Sequence, residues 1–332
     1  MSIDLSIITS VYRGGRFLSR YRSRLYEVAK DVKDAGIALE VVMVANDAQP
    51  DEADEISRLE HEVGSVLTNL QIVHVPRETL YASWNRGVKA AQGQGIAFWN
   101  IDDDRSAAAL IEGANLIKQG CELIDFPFDV ITKRRLPLGY EAVGSMRIDA
   151  YYSDQQREPP RSLQMGTFFI FSQRLFECVG SFDERFHIVG DYEWQVRAQK
   201  AKPNVCTGLE VGGRFVIHGD NLSGVNDPRQ RAEENIVYWM YNGSFEPAEP
   251  TLMYKTWRRF ELPEPDSTIA DQLWGTQAEK NWTAYKAMTR AKRRRVARRE
   301  PFALLVNVLR LRPILSRFGV VNAHNAAIIR RR

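Results

Sequence analysis

An α/β fold, with a mostly parallel central sheet covered by helices on both faces, is predicted by three features of this 332-residue chain. Short, largely apolar runs of strand length recur through the first 126 residues. Helix-length segments separate each run from the next. Each run also ends in polar or turn-forming residues, as buried parallel strands do where they leave a sheet.

The elements follow in order. Candidate strands lie at 5–10, 39–45, 71–75, 96–101 and 122–126, and helical patterns fall between them at 17–34, 51–63, 83–91 and 107–118. Connections of this length imply right-handed crossovers, and in such sheets ligands sit at the carboxyl ends of the strands. Residues 129–160 carry Pro137, Gly139, Pro159, Pro160 and many charges, which reads as a long excursion or lid. A second structured stretch follows, with a strand at 167–171, a helix at 173–179, a helix beginning near Asp191, and an apolar strand at 215–218 leading into the polar turn 219–224. After Pro228 the pattern is helical to about Tyr241, and 245–265 is a Pro- and Glu-rich linker. The expected organisation is one domain over 1–242, in halves 1–126 and 127–242, followed by a linker and a helical basic extension over 243–332.

Composition narrows the setting. Cys121, Cys178 and Cys206 are widely spaced and form no CxxC pair, which predicts buried thiols in a reducing compartment rather than a disulfide framework or zinc site. The amino terminus lacks a signal-peptide pattern, and no apolar run reaches about 18 residues, so a cytoplasmic chain is expected. Residues 281–332 hold 14 Lys or Arg against one acid, Glu300, whereas the first 280 carry a net −10. An acidic body thus carries a basic tail, and the two would meet different partners.

The chemistry collects at strand ends. The first candidate strand ends in Thr9, Ser10, Val11 and Tyr12, the second in Asn46 and Asp47, and the fourth runs through Trp99 and Asn100 into Asp102, Asp103 and Asp104. Three adjacent carboxylates repel one another unless a cation sits among them. Magnesium and manganese take such oxygen ligands, typically one or two carboxylates plus substrate phosphates. The plainer alternative is that one of the three caps the helix starting near Ser106. Glycines 14 and 15 have neither phosphate-loop spacing.

These residues carry a resemblance. SIITSVYRGG (6–15), VVMVANDAQPDE (41–52) and WNIDDDR (99–105) together look like the nucleotide-binding half of family 2 glycosyltransferases of the GT-A type. The run GTFFIFSQRLFECVGSFDERFHIVGDYEWQVRA (166–198) resembles that family's acceptor half, and the likeness extends from about residue 3 to 225. It implies a GT-A nucleotide-diphospho-sugar transferase fold and a UDP-, GDP- or dTDP-sugar donor. It further implies a saccharide or lipid-linked acceptor, a Mn2+ or Mg2+ cofactor, and inversion at the anomeric carbon. By the same resemblance Ser10, Val11 and Tyr12 pack near the base and Asp47 hydrogen-bonds it. Asp47 also lies in a turn composition, where such side chains often only close the turn. Asp102 points toward the ribose, and Asp103 and Asp104 belong to the metal motif, with Asp103 preferred as the direct ligand; the motif can also be aligned with Asp102 and Asp104 as its two acids. His218 is an additional candidate ligand. Asn85 matches a position in the helix beside the diphosphate, but Trp84 stands where the family has Arg, leaving phosphate charge to the metal and to Arg77 or Arg86. Trp84 itself reads as a packing residue. Asp191, in GDYEW, is the expected catalytic base, or else the N-cap of its helix; Gly190 stands where the family commonly has Glu.

The tail segment AKRRRVARR (291–299) and the apolar residues after it form a basic, partly amphipathic stretch. Contact of 291–332 with an anionic membrane surface is the expectation, placing the chain on the inner face of the plasma membrane. The arginines lack interleaved aromatics, so nucleic acid is disfavoured. Two rival readings are a sugar-nucleotide pyrophosphorylase, of which Arg13-Gly14-Gly15-Arg16 is a faint echo, and an inactive sugar-nucleotide-binding adaptor.

Overall fold

The computed structural model describes residues 2–136, 139–150 and 168–218, together with 221, 222, 230, 233, 234 and 237. The linker and the basic extension expected over 243–332 lie outside the described residues, as do most of the helix expected after Pro228 and most of the 219–224 turn.

Seven strands form the main sheet. They are β1 (Ile3–Val11), β2 (Leu39–Asn46), β3 (Asn69–Val75), β4 (Gly93–Phe98), β6 (Leu123–Asp125), β9 (Ile170–Ser172) and β10 (Val205–Thr207), in the order β10-β6-β9-β4-β1-β2-β3. Only β9 runs antiparallel to its neighbours, and the remaining pairs are parallel. The predicted architecture is therefore present. The registers Val11↔Ala45 and Asn46↔Val75 bring the carboxyl ends of β1, β2 and β3 nearly level, while β4 stops where Phe98 faces Ile8.

Alternation along the strands explains why both faces are covered. Leu5, Ile7, Val41, Met43 and Ala45 join a core with helices α1 (Gly15–Asp34), α2 (Pro50–Val63) and α4 (Ala107–Lys118). Ile8, Val42, Ile96 and Phe98 point the other way, onto α3 (Leu80–Ala90), α5 (Gln173–Val179) and α6 (Gly190–Lys200). Successive side chains of a strand leave opposite faces, so continuous apolar strands supply both cores. On the second face Trp84 stacks on Phe98 with ring centroids 3.9 Å apart, and Phe182 and Tyr81 meet its edge. Trp84 is the packing residue its sequence context predicts.

Three expectations need correction. The stretch read as a long excursion or lid over 129–160 begins as regular structure, a hairpin of β7 (Phe128–Leu136) with β8 (Gly139–Ile148), while 151–160 lie outside the described residues. With β5 (Asp104–Arg105) and β11 (Gly213–Ile217) the hairpin makes a second, four-stranded sheet ordered β5-β11-β7-β8. The fourth strand ends at Phe98 rather than 101, because Asp103 N–H turns back to the Asn100 carbonyl at 3.0 Å. The cysteines are not three buried thiols: Cys121 and Cys206 form a disulfide, their Cα atoms 5.9 Å apart, and Cys178 is exposed. Parallel pairing of β10 with β6 brings these sulfurs together, which no spacing in the sequence reveals. No described helix is long and apolar enough to cross a membrane.

The disulfide closes a loop of 85 residues at the sheet's edge. Reduction, or Cys206→Ser, should cost about 2–4 kcal/mol and lower the melting temperature seen by calorimetry. An unchanged transition in reductant would show that the bond does not form in solution.

Candidate functional site

The acidic triplet is ordered from below by Trp99. Its indole is buried against Tyr21, and its Nε1–H donates to the Asp103 carbonyl at 3.1 Å, fixing the turn beyond β4. From this turn the three carboxylates diverge. The Asp103 carboxylate points inward: Oδ1 accepts the Val216 N–H at 2.9 Å and Oδ2 accepts the Asn100 amide at 3.3 Å. It is almost fully buried, and burial, then the neighbouring Asp102 charge, pushes its pKa well above the ordinary carboxylate range. Asp104 turns to α1, where it pairs with Arg20 at 2.6 Å and lies 3.8 Å from Arg24. Asp102, partly exposed, meets His218, its Oδ2 standing 3.0 Å from Nε2.

The expected metal set of Asp103, Asp104 and His218 is thus not assembled, and among the described residues no group of three or more His, Cys, Asp or Glu could hold a metal. The pair that is assembled is Asp102 with His218. Asp103 serves it indirectly, because its bond to Val216 sets β11 two residues before His218. Asn221 completes the corner, its Oδ1 accepting the His218 N–H at 2.8 Å and its Nδ2 donating to the Val216 carbonyl at 2.7 Å. None of the three acids caps α4; Ser106 does, through Ala109 N–H.

Beside this corner the other strand ends present a shallow surface. Tyr12 lies in the turn after β1, with the guanidinium carbons of Arg13 and Arg77 at 5.3 and 5.7 Å from its ring centroid. Asp47 follows β2 in a left-handed backbone conformation (φ 51°), its N–H bonded to the Val75 carbonyl at 2.9 Å. The turn is closed not by the Asp47 carboxylate but by Gln49, whose Nε2 donates to the Asp47 carbonyl. Ser10 is half-buried. Val11 lies wholly in the core beneath α1, so only its backbone faces the edge.

Glu52, which sequence reasoning passed over, ties the two loops together. Its buried carboxylate accepts the Gly14 N–H at 2.5 Å and the Gln49 N–H at 2.9 Å. Gly14 N–H is thereby committed. Asn85 is also committed. Its amide donates to the Phe182 carbonyl and accepts the Phe182 N–H, both at 2.9 Å, which pins the loop before α6 rather than reaching the strand ends. Arg86 faces Glu78 at 3.3 Å.

Asp191 lies in the first turn of α6 without capping it, the N-cap being Val189. Its Oδ1 accepts the Tyr81 hydroxyl at 3.1 Å and the Tyr192 N–H at 2.9 Å. Tyr81 stands in the first turn of α3, just beyond the carboxyl end of β3, so it draws Asp191 to the same edge of the sheet as Asp47 and Asp102. Burial raises the Asp191 pKa to about 6, a rise the Tyr192 and Tyr81 bonds partly offset. A Cβ on Gly190 would come within 2.7 Å of the Tyr81 ring, so the glycine is what lets Tyr81 approach. The cavity of about 500 Å³ between α1 and the second sheet, lined by Arg24, Asp104, Arg147 and Arg214 among others, contains neither Asp191 nor His218.

No family model matches the chain, and neither does the sequence of any curated protein. Solved structures do. The crystal structure of S. aureus TarS 1-349 in complex with UDP-GlcNAc aligns with a TM-score of 0.52 and 15% identity, covering 85% of this chain and 79% of that one. A crystal structure of S. aureus TarS aligns with a TM-score of 0.52 and 13% identity, covering 89% of this chain but 55% of its own. At such identities the likeness establishes a shared fold.

The two acids separate experimentally. Asp103→Ala leaves the Val216 N–H buried without a partner and should destabilise the chain by about 1–3 kcal/mol in urea titration. Asp102→Ala, which removes a partly exposed group, should cost well under that. Equal costs would contradict the division of labour between them.

Proposed function

We propose that this chain is an inverting glycosyltransferase that moves a sugar from a nucleoside-diphosphate donor to an acceptor hydroxyl. The observations that support this reading are the Asp102–His218 pair beyond the end of β4 and a second acid, Asp191, buried with its pKa raised to about 6 and held by Tyr81 at the start of α3. The fold shared with TarS, and the UDP-GlcNAc bound in that structure, support a uridine donor as the first to test.

The nucleoside would lie across the ends of β1 and β2, with Tyr12 against the base and the open Asp47 carboxylate accepting from it. Asp102 and His218, one carboxylate and one imidazole nitrogen standing 3.0 Å apart, are the residues that would hold a divalent cation. When bound, Mn2+ or Mg2+ supplies positive charge for the departing diphosphate. This assigns the direct contacts to Asp102 and His218 in place of Asp103 and Asp104. Of the two arginines weighed for the phosphate charge, Arg86 faces Glu78, and Arg77 would meet it.

Asp191 accepts the proton of the acceptor hydroxyl. The acceptor oxygen bonds to the anomeric carbon as the bond from that carbon to the diphosphate breaks on the opposite face, which inverts configuration. A carboxylate with a pKa near 6 is mostly ionised at neutral pH, yet is a stronger base than an ordinary one. The acceptor is a glycan or lipid-linked saccharide, and the basic 291–332 segment would hold the chain against the anionic membrane carrying it.

Two measurements check the assignment. Asp191→Asn should lower kcat by about 10²–10⁴-fold, followed by nucleotide release, with donor affinity nearly unchanged. The base works ionised, so wild-type kcat/KM should fall on the acid side of about pH 6, roughly tenfold per pH unit. An acid-insensitive rate, or a fully active Asp191→Asn, would remove Asp191 from the reaction.

A further inference from the structure

Glu233 is wholly buried and helical, 42 positions beyond Asp191. Its carboxylate accepts three consecutive backbone N–H groups: His187 at 3.2 Å to each oxygen, Ile188 at 2.8 Å and Val189 at 3.1 Å. Those three residues lead directly into α6. The first N–H groups of a helix and the turn before it have no intrahelical acceptor, and Val189, the N-cap, has no side-chain oxygen to offer. A carboxylate brought from elsewhere in the chain satisfies them with charge-assisted bonds and sits favourably at the positive end of the helix.

The same segment is gripped from the other side by Tyr81, whose hydroxyl lies 2.6 Å from the Ile188 carbonyl and 3.1 Å from Asp191 Oδ1. Residues 187–191 are thus held between α3 and Glu233. A glycine at 190 leaves no side chain of its own to support Asp191, and its lack of a Cβ is what admits the Tyr81 ring.

We propose that Glu233 is a positioning residue for the catalytic base: its carboxylate fixes the 187–189 backbone, and through it sets where the Asp191 carboxylate stands. This rests on the functional reading above for what Asp191 does, but not for the hydrogen bonds themselves. Among the described residues, two titratable groups face Asp191. Tyr81 on α3 shares its one hydroxyl proton between the Ile188 carbonyl and Asp191 Oδ1, which favours the ionised carboxylate, and the Glu233 charge opposes ionisation. Replacing each should therefore move the acid limb of kcat/KM in opposite directions.

The test uses the full chain and two isosteric changes. In Glu233→Gln, hydrogen–deuterium exchange in the peptide covering 184–192 should quicken roughly tenfold, with the main sheet unaffected. kcat should fall roughly tenfold or more at unchanged donor KM, because a base misplaced by even an ångström loses rate rather than binding. The acid limb should move to lower pH in Glu233→Gln and to higher pH in Tyr81→Phe. Unaltered exchange in 184–192 overturns the proposal, and so does faster exchange with wild-type kcat and an unmoved acid limb. If Glu233→Gln does not fold, the wild type decides: protected 187–189 amides support the cap and freely exchanging ones overturn it. Absence of any sugar transfer by the wild type, or an active Asp191→Asn, would instead refute the functional reading and leave the exchange result to judge the cap.

Discussion

The site depends on one buried contact, the Asp103 carboxylate accepting the Val216 N–H at 2.9 Å. It joins the turn beyond β4 in the main sheet to β11 in the second sheet, and it places His218 opposite Asp102. A carboxylate so deeply buried needs compensation. Nearby Arg105 supplies part of it, fully buried itself and donating to the Phe98 and Phe168 carbonyls at 3.1 and 2.9 Å. Burial lowers the Arg105 pKa to about 9, while the Asp103 charge works to raise it. The result is a stiff node of buried polar groups from which one acid, Asp102, emerges. Pre-organisation of this kind lets a site hold a ligand without spending interaction energy on ordering its own residues.

Around that node, chemically identical groups have been given different environments. Asp47 sits partly open at the end of β2, Asp102 half-open beside an imidazole, Asp103 closed in, and Asp191 buried under a tyrosine hydroxyl. A carboxylate's surroundings decide whether it is suited to accept hydrogen bonds from a ligand, bind a cation, hold the backbone or take a proton. The supports differ as well. Glu52 fastens the loops after β1 and β2 to each other, whereas Tyr81, Asn85 and Glu233 fasten the loop before α6.

Much of the scaffold was legible in the sequence because its signals are local. Helix α4 begins and ends where the pattern places it, since Ser106 supplies a cap and the apolar spacing does the rest. β1 and β2 are largely apolar runs, and only a few residues at their ends were misplaced. The β7–β8 hairpin was missed because Lys133, Arg134 and Arg135 and the nearby Pro137 look like surface loop, and its pairing is a long-range fact. β10 is three residues long and carries almost no pattern. For the site, position at the ends of strands pointed to Asp47, Asp102 and His218, and the family resemblance pointed to Asp191. Neither revealed which way each carboxylate of the triplet points, because consecutive residues diverge once a strand turns. Glu233 and the Cys121–Cys206 bond were invisible because each joins positions far apart in the chain, whereas Glu52 had a local signature, standing three residues after Gln49 with Pro50 between them, and only its bond to Gly14 is long-range.

The account's central claim, a dication-assisted nucleotide site at the carboxyl ends of β1, β2 and β4, is most directly tested by calorimetric titration of UDP, GDP and dTDP with and without manganese. The account predicts saturable binding of one nucleotide, strongest for UDP. Manganese should tighten it markedly in the wild type but not in His218→Ala. Equal, metal-independent binding of all three, or none at all, would contradict it.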